Sequence, residues 1–440
     1  MLITRTRMAR SRSLGAAVVA VATLAVTFAG CSGSQGSTGP SSGGQATVVW
    51  STWGTPEELT RFKEFDTQFM KDHPTIKVVL QPVADYGDYH TKLLTELASG
   101  TAPDVFYIGD DQIGKFVNSD VLMPLNDLMA SSASQTKPSD FFPGLLGAAD
   151  KGGQILAEPN DSNPDAFWYD KVALKKAGIT EDPATLAAEG KWTTSTFLDM
   201  NRKLKAAGLT GTMFWNYWST HWSWISSQGG KVFDGSGKFV ANSDQTSVAA
   251  MKTFGQYFQN KTFLVADTLP SGAGSDSLFV QHKAGFYVQG RYTIGTVKSA
   301  GDPQNYDVAP WPTPSGRAAP TGVAVSYLAI NAKTKVKDAA FTFWTSFLSA
   351  DGQKFRLQGG GNAVPSIKGA DSVVLDGYPA HAQTLLDMRV QGFEDFAEEA
   401  AVPGLSNDVS AIMLNLYQGK LDAQQALDQA ASLISSKTGS

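Results

Sequence analysis

The sequence is poor in cysteine: its 440 residues include only Cys31. A single thiol cannot form an internal disulfide, so the mature fold must rest on its hydrophobic core. Hydrophobic residues make up 42% of the chain, an ordinary share for a globular protein. No fixed-period repeat is evident, and after residue 30 no apolar run is long enough to span a bilayer.

The chain also lacks a basic surplus, with 36 Lys+Arg against 41 Asp+Glu. Four arginines fall within the first thirty residues, so residues 31–440 hold 32 basic and 41 acidic residues, a net charge of about −9. Nucleic-acid binding needs clustered Lys and Arg to displace counterions. We therefore expect no nucleic-acid partner, and the same lack of a basic cluster argues against a phosphorylated ligand.

Motifs of common enzyme classes are missing as well. The five histidines show no metal-ligand spacing. The Gly-x-Ser-x-Gly match GPSSG at 39–43 lies in a Gly/Ser-rich segment with no strand before it, so it does not predict a nucleophile elbow. The GSGK at 235–238 ends at Phe239 and lacks an upstream glycine, so it predicts a hairpin turn rather than a phosphate loop. We expect no cofactor, no metal and no enzymatic activity. A secreted glycoside-active enzyme, with two carboxylates flanking the bond, and a surface adhesin or scaffold remain as alternatives.

The first thirty residues have the layout of a secretory signal peptide. A positive segment precedes an apolar run at 14–30, and small residues lead directly into Cys31. This junction resembles a bacterial lipobox, although Phe28 stands where leucine is usual. The resemblance implies lipidation of Cys31 and anchoring on the outer face of the bacterial cytoplasmic membrane. A plain secreted protein and a retained membrane anchor are the alternatives.

Residues 32–45, SGSQGSTGPSSGGQ, have too little apolar content to pack, so 31–45 is predicted to be a lipidated cysteine with a flexible tether. Strands are expected at 46–52, 76–80 and 104–108, with helices starting at Thr55 and at Tyr86 between them. This alternation predicts a mostly parallel α/β sheet. Ligands of such sheets bind beyond the carboxyl ends of the strands, which points to Trp53, Asp110 and Asp111. Rim packing for the tryptophan and helix capping for the aspartates are the structural alternatives.

Four tryptophans fall within ten residues in the middle of the chain. Trp215, Trp218 and Trp222 would share one face of a helix, and Trp224 follows. Aromatic stripes usually belong to a core, but polar residues such as Asn216 and His221 interleave with these. Apolar walls with a few placed polar groups suit a ligand pocket. We therefore predict ligand contact for at least one of the four, with stacking against a sugar ring as the favoured mode.

Several separated segments together resemble the family 1 extracellular solute-binding proteins of ABC transporters, from about Thr47 to the C-terminus. They are LASGTAPDV at 97–105, WYDK at 168–171 with KAGI at 176–179 and Pro183, WTTSTF at 192–197, GFYVQGRY at 285–292, WPTPSG at 311–316 and AIN at 329–331. Tyr292 stands where the family usually has tryptophan. Each segment alone is weak evidence, whereas their shared order over nearly four hundred residues is strong.

The resemblance implies a two-lobed α/β periplasmic-binding-protein fold, type II and maltose-binding-like, with a three-crossing hinge and an interlobe cleft. The crossings are expected near Ala157, Gly322 and Lys368. Lobe I would be 46–157 plus 323–368, and lobe II 158–322 plus 369–440. A helix predicted over 336–355 would place its aromatic residues in the core of lobe I.

The implied function is capture of a mono- to oligosaccharide, with a neutral sugar favoured, by a monomer that closes around it and delivers it to a membrane permease. A non-sugar solute is the alternative within the family. The GGGN at 359–362 predicts a loop with unusual backbone angles. The candidate ligand-binding residues are Trp53, Asp110, Asp111, Asn163, Asp165, Trp215, Trp218, Trp222, Arg291, Tyr292, Trp311 and Asn362. For Arg291 a structural ion pair, and for Asp165 a turn-shaping role, are the alternatives.

Overall fold

The computed structural model describes residues 45–83, 86–269 and 273–439. The predicted signal peptide, the lipidation site at Cys31 and tether residues 31–44 lie outside the described residues. In the described part, no helix is both long enough and apolar enough to cross a bilayer.

Within these ranges the chain forms strands and helices in a mixed order. The strands are β1 (Ala46–Trp53), β2 (Ile76–Val83), β3 (Val105–Gly109), β4 (Asp150–Lys151), β5 (Gln154–Ile155), β6 (Glu158–Pro164), β7 (Ala166–Asp170), β8 (Thr210–Phe214), β9 (Phe263–Val265), β10 (Ala284–Gln289), β11 (Tyr306–Ala309) and β12 (Val323–Ile330). The helices are α1 (Pro56–Asp72), α2 (Tyr86–Ser99), α3 (Ile113–Val117), α4 (Asn126–Ala130), α5 (Lys171–Lys176), α6 (Pro183–Ala188), α7 (Thr194–Ala206), α8 (Trp218–Ser227), α9 (Gln245–Gln259), α10 (Ala273–Val280), α11 (Thr293–Ser299), α12 (Lys337–Leu348), α13 (Ala350–Leu357), α14 (Ser372–Leu375), α15 (Gln383–Gln391), α16 (Ala397–Ala400), α17 (Leu405–Tyr417) and α18 (Ala423–Thr438).

Two five-stranded sheets form the centres of two lobes. The first has the order β2-β1-β3-β12-β6, in which β1 is parallel to β2 and β3 while β12 runs antiparallel to its neighbours. The second has the order β11-β7-β10-β8-β9, in which β8 is parallel to β9 and β10 while β7 is antiparallel to its neighbours. Each sheet is covered by helices and has its own hydrophobic core. The predicted two-lobed α/β fold is confirmed.

In the first lobe, helices α1 and α2 begin and end where the sequence predicts. Thr55 caps α1, and its backbone N–H donates to Glu58 Oε2 at 2.6 Å, which completes a capping box. Phe62, Phe65 and Phe69 follow at helical spacing and are buried against the first sheet. Helix α2 spans the predicted residues and stops at Gly100, whose positive φ of 75° ends it as a left-handed cap.

The helix predicted over 336–355 is two helices. It breaks at Ser349, whose Oγ accepts a hydrogen bond from Gly352 N at 3.0 Å and so starts α13 as an N-cap. The aromatic residues of α12 lie in the core as predicted, and Phe343, Trp344 and Phe347 are fully buried.

The strand pairing places two points at which the chain passes between the sheets, one away from its expected position and one close to it. Strand β6 pairs with β12 in the first sheet and β7 belongs to the second, so the chain crosses at Asp165 rather than near Ala157. The expected boundary preceded β6 because the sequence of this strand, EPNDSNP, has no apolar strand pattern. The second crossing falls between β11 and β12. Further along, Leu357, Ala363 and Val364 pack in the core of the second lobe, Ile367 and Ala370 in that of the first, and Val373 in that of the second, so the crossing near Lys368 stays a prediction.

Candidate functional site

A cavity of about 520 Å³ lies between the two sheets. This volume is within the range of small-molecule pockets. Its walls include the carboxyl ends of β1, β3 and β10 and the segments that follow β8 and β9, where open α/β sheets bind ligands. The lining residues are Trp53, Gly54, Thr55, Glu58, Phe62, Tyr86, Tyr107, Gly109, Asp110, Asp161, Asn163, Asp165, Trp215, Asn216, Tyr217, Asp267, Asp276, Gln289, Tyr292, Thr293, Thr296, Ala324, Val325, Ser326 and Asn362.

Asp110 links the two walls of the cavity. Its Oδ1 accepts a hydrogen bond from the Tyr217 hydroxyl of the second lobe, and its Oδ2 accepts one from Val325 N at 3.0 Å. Burial, reinforced by the neighbouring Asp111 carboxylate, raises the pKa of Asp110 to about 7. Asp110 therefore joins the two lobes at the cavity, and its carboxyl holds a proton more tightly than an exposed aspartate does.

Three polar side chains from the first crossing also line the cavity. Asp161 accepts a hydrogen bond from Ser326 Oγ, and Asn163 Oδ1 accepts one from Arg291 N at 2.9 Å. Asp165, at the crossing itself, accepts from Ser219 Oγ of α8. Burial raises the pKa of both Asp161 and Asp165 to about 6.

The segment between β8 and α8 forms the aromatic part of the second wall. Trp215, Asn216 and Tyr217 are partly exposed and all three line the cavity. Trp215 Nε1 donates to the Tyr287 hydroxyl at 3.2 Å, which fixes the ring orientation. Tyr292 is 42% exposed, an unusual value for a large aromatic side chain that borders a cavity.

Trp218 and Trp222 do not line the cavity. Helix α8 begins at Trp218, so Trp215 precedes the helix and does not share its face. Trp218, Trp222 and Trp224 are 0% exposed, and Trp224 stacks on Phe254 with ring centroids 4.7 Å apart. The expectation of a shared helical face for Trp215, Trp218 and Trp222 was wrong because the helix starts three residues later.

Two buried polar residues of α8, His221 and Ser223, are bonded to protein groups. His221 Nδ1 lies 2.6 Å from the Tyr417 hydroxyl, and Ser223 Oγ accepts from Gly322 N at 2.7 Å. Burial lowers the pKa of His221 to about 3, so this ring is neutral. These two polar residues of the stretch that suggested a ligand-binding face therefore form hydrogen bonds within the protein, to α17 and to the segment of the second crossing.

Arg291 lies behind the cavity wall. It is 0% exposed and donates to the carbonyl oxygens of Gly361, Ala363 and Val373, so it binds backbone rather than a carboxylate. These bonds hold the loop that presents Asn362 to the cavity. In the same loop Gly359 and Gly360 have positive φ values of 64° and 91°, as predicted.

Trp311 and Asp111 also have protein partners. Trp311 Nε1 donates to Asp165 O at 2.6 Å, and its ring packs edge-on against Phe167 with centroids 5.1 Å apart. Asp111 accepts from the Tyr86 hydroxyl and supports that lining ring. Seven of the predicted residues therefore border the cavity, and ligand contact stays a prediction for them: Trp53, Asp110, Asn163, Asp165, Trp215, Tyr292 and Asn362.

Several lining residues were not predicted from the sequence. Glu58 was interpreted only as part of a capping box, although its position also borders the cavity. Asp267 follows β9, a strand of three residues that carries too little pattern to be recognised. Gln289 ends β10 inside the GFYVQGRY segment, so the carboxyl-end rule would have identified it.

Metal-binding chemistry is not evident in the site. Over residues 45–83, 86–269 and 273–439, no group of three or more His, Cys, Asp or Glu side chains is arranged to hold a metal ion.

Comparisons with known proteins agree with this geometry. A family model described as "Bacterial extracellular solute-binding protein" matches residues 53–354. The maltotriose-binding protein of Pyrococcus abyssi is 26% identical over 311 residues, 67% of this chain and 61% of that protein. The arabinooligosaccharide-binding protein of Bacillus subtilis is 27% identical over 251 residues, 55% of this chain and 54% of that protein. The matches thus span about three fifths or less of these relatives' own lengths.

Among solved structures, the ABC substrate-binding protein Lmo0181 from Listeria monocytogenes, in complex with cycloalternan, superposes with a TM-score of 0.78. The sequences are 18% identical, and the match covers 90% of this chain and 99% of that one. At this identity the likeness establishes the fold alone.

Proposed function

This chain belongs to the bacterial extracellular solute-binding proteins, and on that premise we propose that it captures a carbohydrate for an ABC importer. The observation that carries the proposal is the interlobe cavity, bordered by Trp53 on one wall and by Trp215 and Tyr292 on the other. Flat aromatic faces suit the apolar C–H faces of a sugar ring, and carboxylate and amide groups between them suit its hydroxyls. The relatives named for maltotriose and arabinooligosaccharides support this ligand class.

The two-sheet arrangement gives the capture a physical mechanism. A ligand that contacts both lobes favours the closed form by the difference in its affinity for the open and closed states. Closure about a hinge is the motion by which periplasmic binding proteins enclose their ligands. The hydrogen bond from Tyr217 to Asp110 already joins the walls, and a membrane permease would recognise the closed surface. Roughly micromolar affinity corresponds to about 8 kcal/mol of net binding free energy.

The carbohydrate proposal is tested by titration of the full mature chain with a panel of mono- to oligosaccharides, followed by intrinsic tryptophan fluorescence. We expect a saturable change with at least one saccharide, because two tryptophans border the cavity. The same mixtures are analysed by chromatography, and release of shorter sugars would replace the binding function with a glycoside-cleaving one. Saturation by polyols, amino acids or peptides alone would contradict the carbohydrate assignment.

Lipidation of Cys31 and a monomeric state complete the proposal. An anchor would confine the binding protein near its permease, and the Gly/Ser segment would let it reorient. Mass spectrometry of the membrane fraction is expected to find a diacylated Cys31 at the N-terminus, with Cys31→Ala released into the medium. An unlipidated N-terminus in the membrane fraction would remove the anchor and leave the binding proposal in place. Sedimentation at micromolar concentration tests the monomer.

A further inference from the structure

The charged side chains that line the cavity are all acidic. They are Glu58, Asp110, Asp161, Asp165, Asp267 and Asp276. Among the cavity-lining residues that the structure describes, none is lysine, arginine or histidine. An anionic ligand would meet no basic side chain here, and any lining carboxylate that is ionised would repel it.

Two buried arginines, Arg291 and Arg356, lie outside the cavity lining. Arg291 donates to backbone carbonyl oxygens. Arg356 is 1% exposed, donates to the carbonyl oxygens of Asn160 and Phe347, and places its guanidinium 3.9 Å from the Phe347 ring centroid. Burial raises the pKa of Asp161, Asp165 and Asp276, and the charge of Arg356 offsets only part of this effect at Asp161.

Unpartnered hydrogen-bonding atoms on the second wall are an independent sign of a donor-rich ligand. Gln289 is 4% exposed and Thr293 is 2% exposed, yet Gln289 Oε1 and Thr293 Oγ1 have no hydrogen-bond partner, and both residues line the cavity. Asn216 Oδ1 is also buried without a partner. Two of these three atoms are amide oxygens, which only accept hydrogen bonds, so a ligand that pairs with them must supply donors.

Asp276 lies in the same part of the wall. Its carboxylate accepts from the Tyr287 hydroxyl at 3.1 Å and from Thr296 Oγ1 at 3.3 Å. Tyr287 also receives the Trp215 Nε1 donor, so the carboxylate, the aromatic face and strand β10, which carries Gln289, meet at one place.

Building on the proposed carbohydrate function, we propose that the cavity prefers a saccharide that carries a protonated amino group, held at Asp276 and Gln289. An ammonium offers three donors and no acceptor, which matches a wall of carboxylate and amide oxygens. Its hydrogen bonds to carboxylate are charge-assisted, and the faces of Trp215 and Tyr292 add cation–π attraction. The lack of a basic cluster in the sequence argued against a phosphorylated ligand and favoured a neutral sugar, whereas the assembled cavity favours a cation.

The test uses three disaccharides with the same rings and linkage that differ only in the group on C2 of each ring. Chitobiose carries free amino groups, N,N′-diacetylchitobiose carries amides and cellobiose carries hydroxyls. The corresponding monosaccharides, glucosamine, N-acetylglucosamine and glucose, form a second series. In calorimetry on the full mature chain, we expect the amino form to bind about tenfold more tightly than the acetylated and hydroxyl forms. A tenfold difference in affinity corresponds to about 1.4 kcal/mol.

Neutral or acetylated sugars that bind as tightly as the amino forms would overturn the inference and leave the carbohydrate proposal standing. A neutral oligosaccharide of the wider panel that binds while no amino sugar does would have the same consequence. Failure of every saccharide, charged or neutral, would overturn the carbohydrate proposal and the inference together.

Variants locate the charge preference within the cavity. Asp276→Asn keeps the shape and removes the charge, so we expect it to lose about tenfold in affinity for the amino sugar and much less for its hydroxyl counterpart. Asp351→Asn, at a carboxylate whose side chain is 96% exposed on α13, is the matched surface control. Equal losses for the amino and hydroxyl forms in Asp276→Asn would overturn the ammonium placement. If that variant does not fold, Gln289→Leu tests the same point by removing the unpartnered acceptor, with the same two outcomes.

Discussion

Two groups of tryptophans lie in different environments although the same short stretch of sequence supplies most of them. Trp53 and Trp215 are partly exposed at the cavity, whereas Trp218, Trp222 and Trp224 are fully buried in the second lobe. The difference follows from where α8 begins. Residues before its first turn lie at the carboxyl end of β8 and face the cavity, and residues within it pack against α9 and α17.

This contrast shows that position relative to a strand end, rather than aromatic density, separates cavity residues from core residues. It also predicts opposite effects of substitution in the two groups. Substitution of a core tryptophan should lower stability and leave the ligand affinity of the folded protein unchanged. Substitution of a cavity tryptophan should weaken ligand binding and change stability little.

The largest effect, a loss of unfolding free energy, is expected for Trp224→Ala. This change removes a fully buried ring that stacks on Phe254 and loses the hydrogen bond from Nε1 to Ala250 O at 2.8 Å. Large-to-small core substitutions of aromatic residues cost about 3–5 kcal/mol. Urea unfolding measures the loss of unfolding free energy, and a change below about 1 kcal/mol would contradict the core assignment. Trp224→Phe, which keeps an aromatic ring, serves as the matched control and should lose less.

The second prediction concerns the pH dependence of stability, and its expected effect is smaller. In the core of the first lobe, both carboxylate oxygens of Asp66 accept a hydrogen bond from Trp50 Nε1. Burial raises the pKa of Asp66 to about 7. The folded state therefore holds this proton more tightly than the unfolded chain does. The stabilisation is complete below about pH 4, falls as the pH rises, and is lost above about pH 7.

Asp66→Asn keeps an acceptor for Trp50 and removes the titration. Between about pH 5 and about pH 8 the unfolding free energy of the parent protein should fall. In Asp66→Asn we expect this fall to be smaller by about 2 kcal/mol. Denaturant unfolding at the two pH values measures this difference. The same slope in both proteins would show that Asp66 does not titrate in this range.

Trp215→Ala should have the smallest effect on stability and the clearest effect on binding. Its ring is partly exposed, and its removal takes one donor from the Tyr287 hydroxyl, which keeps its hydrogen bond to Asp276. We expect about a tenfold weaker affinity for the saccharide that binds best, or about 1.4 kcal/mol, with less than about 1 kcal/mol lost in unfolding free energy. Titration calorimetry measures the affinity and urea unfolding measures the unfolding free energy, with Trp224→Phe as the comparison variant in both. Unchanged affinity would move Trp215 out of the binding site.

Much of the fold could be predicted from the sequence because its signals are local. The capping box at Thr55 and Glu58 and the glycine after α2 both act over a single helical turn. The first crossing could not be placed in this way, because β6 is a polar strand that is recognised only by its pairing with β12.

The candidate site was predictable where strand ends could be recognised, as at Trp53 and Asp110. It was not predictable for Asp276, whose place beside Tyr287 and Thr296 depends on packing between α10, β10 and α11. Arg291 shows the same limit, since its three carbonyl partners are 70 to 82 residues away along the chain. Local spacing carries no information on such contacts.

The central claim is that one cavity holds the ligand with residues of both lobes. A crystal structure of the protein with the tightest-binding saccharide of the panel tests it most directly. We expect electron density for the sugar between Trp53 on one side and Trp215 and Tyr292 on the other. Density bound outside this cavity, or in contact with only one lobe, would contradict the claim.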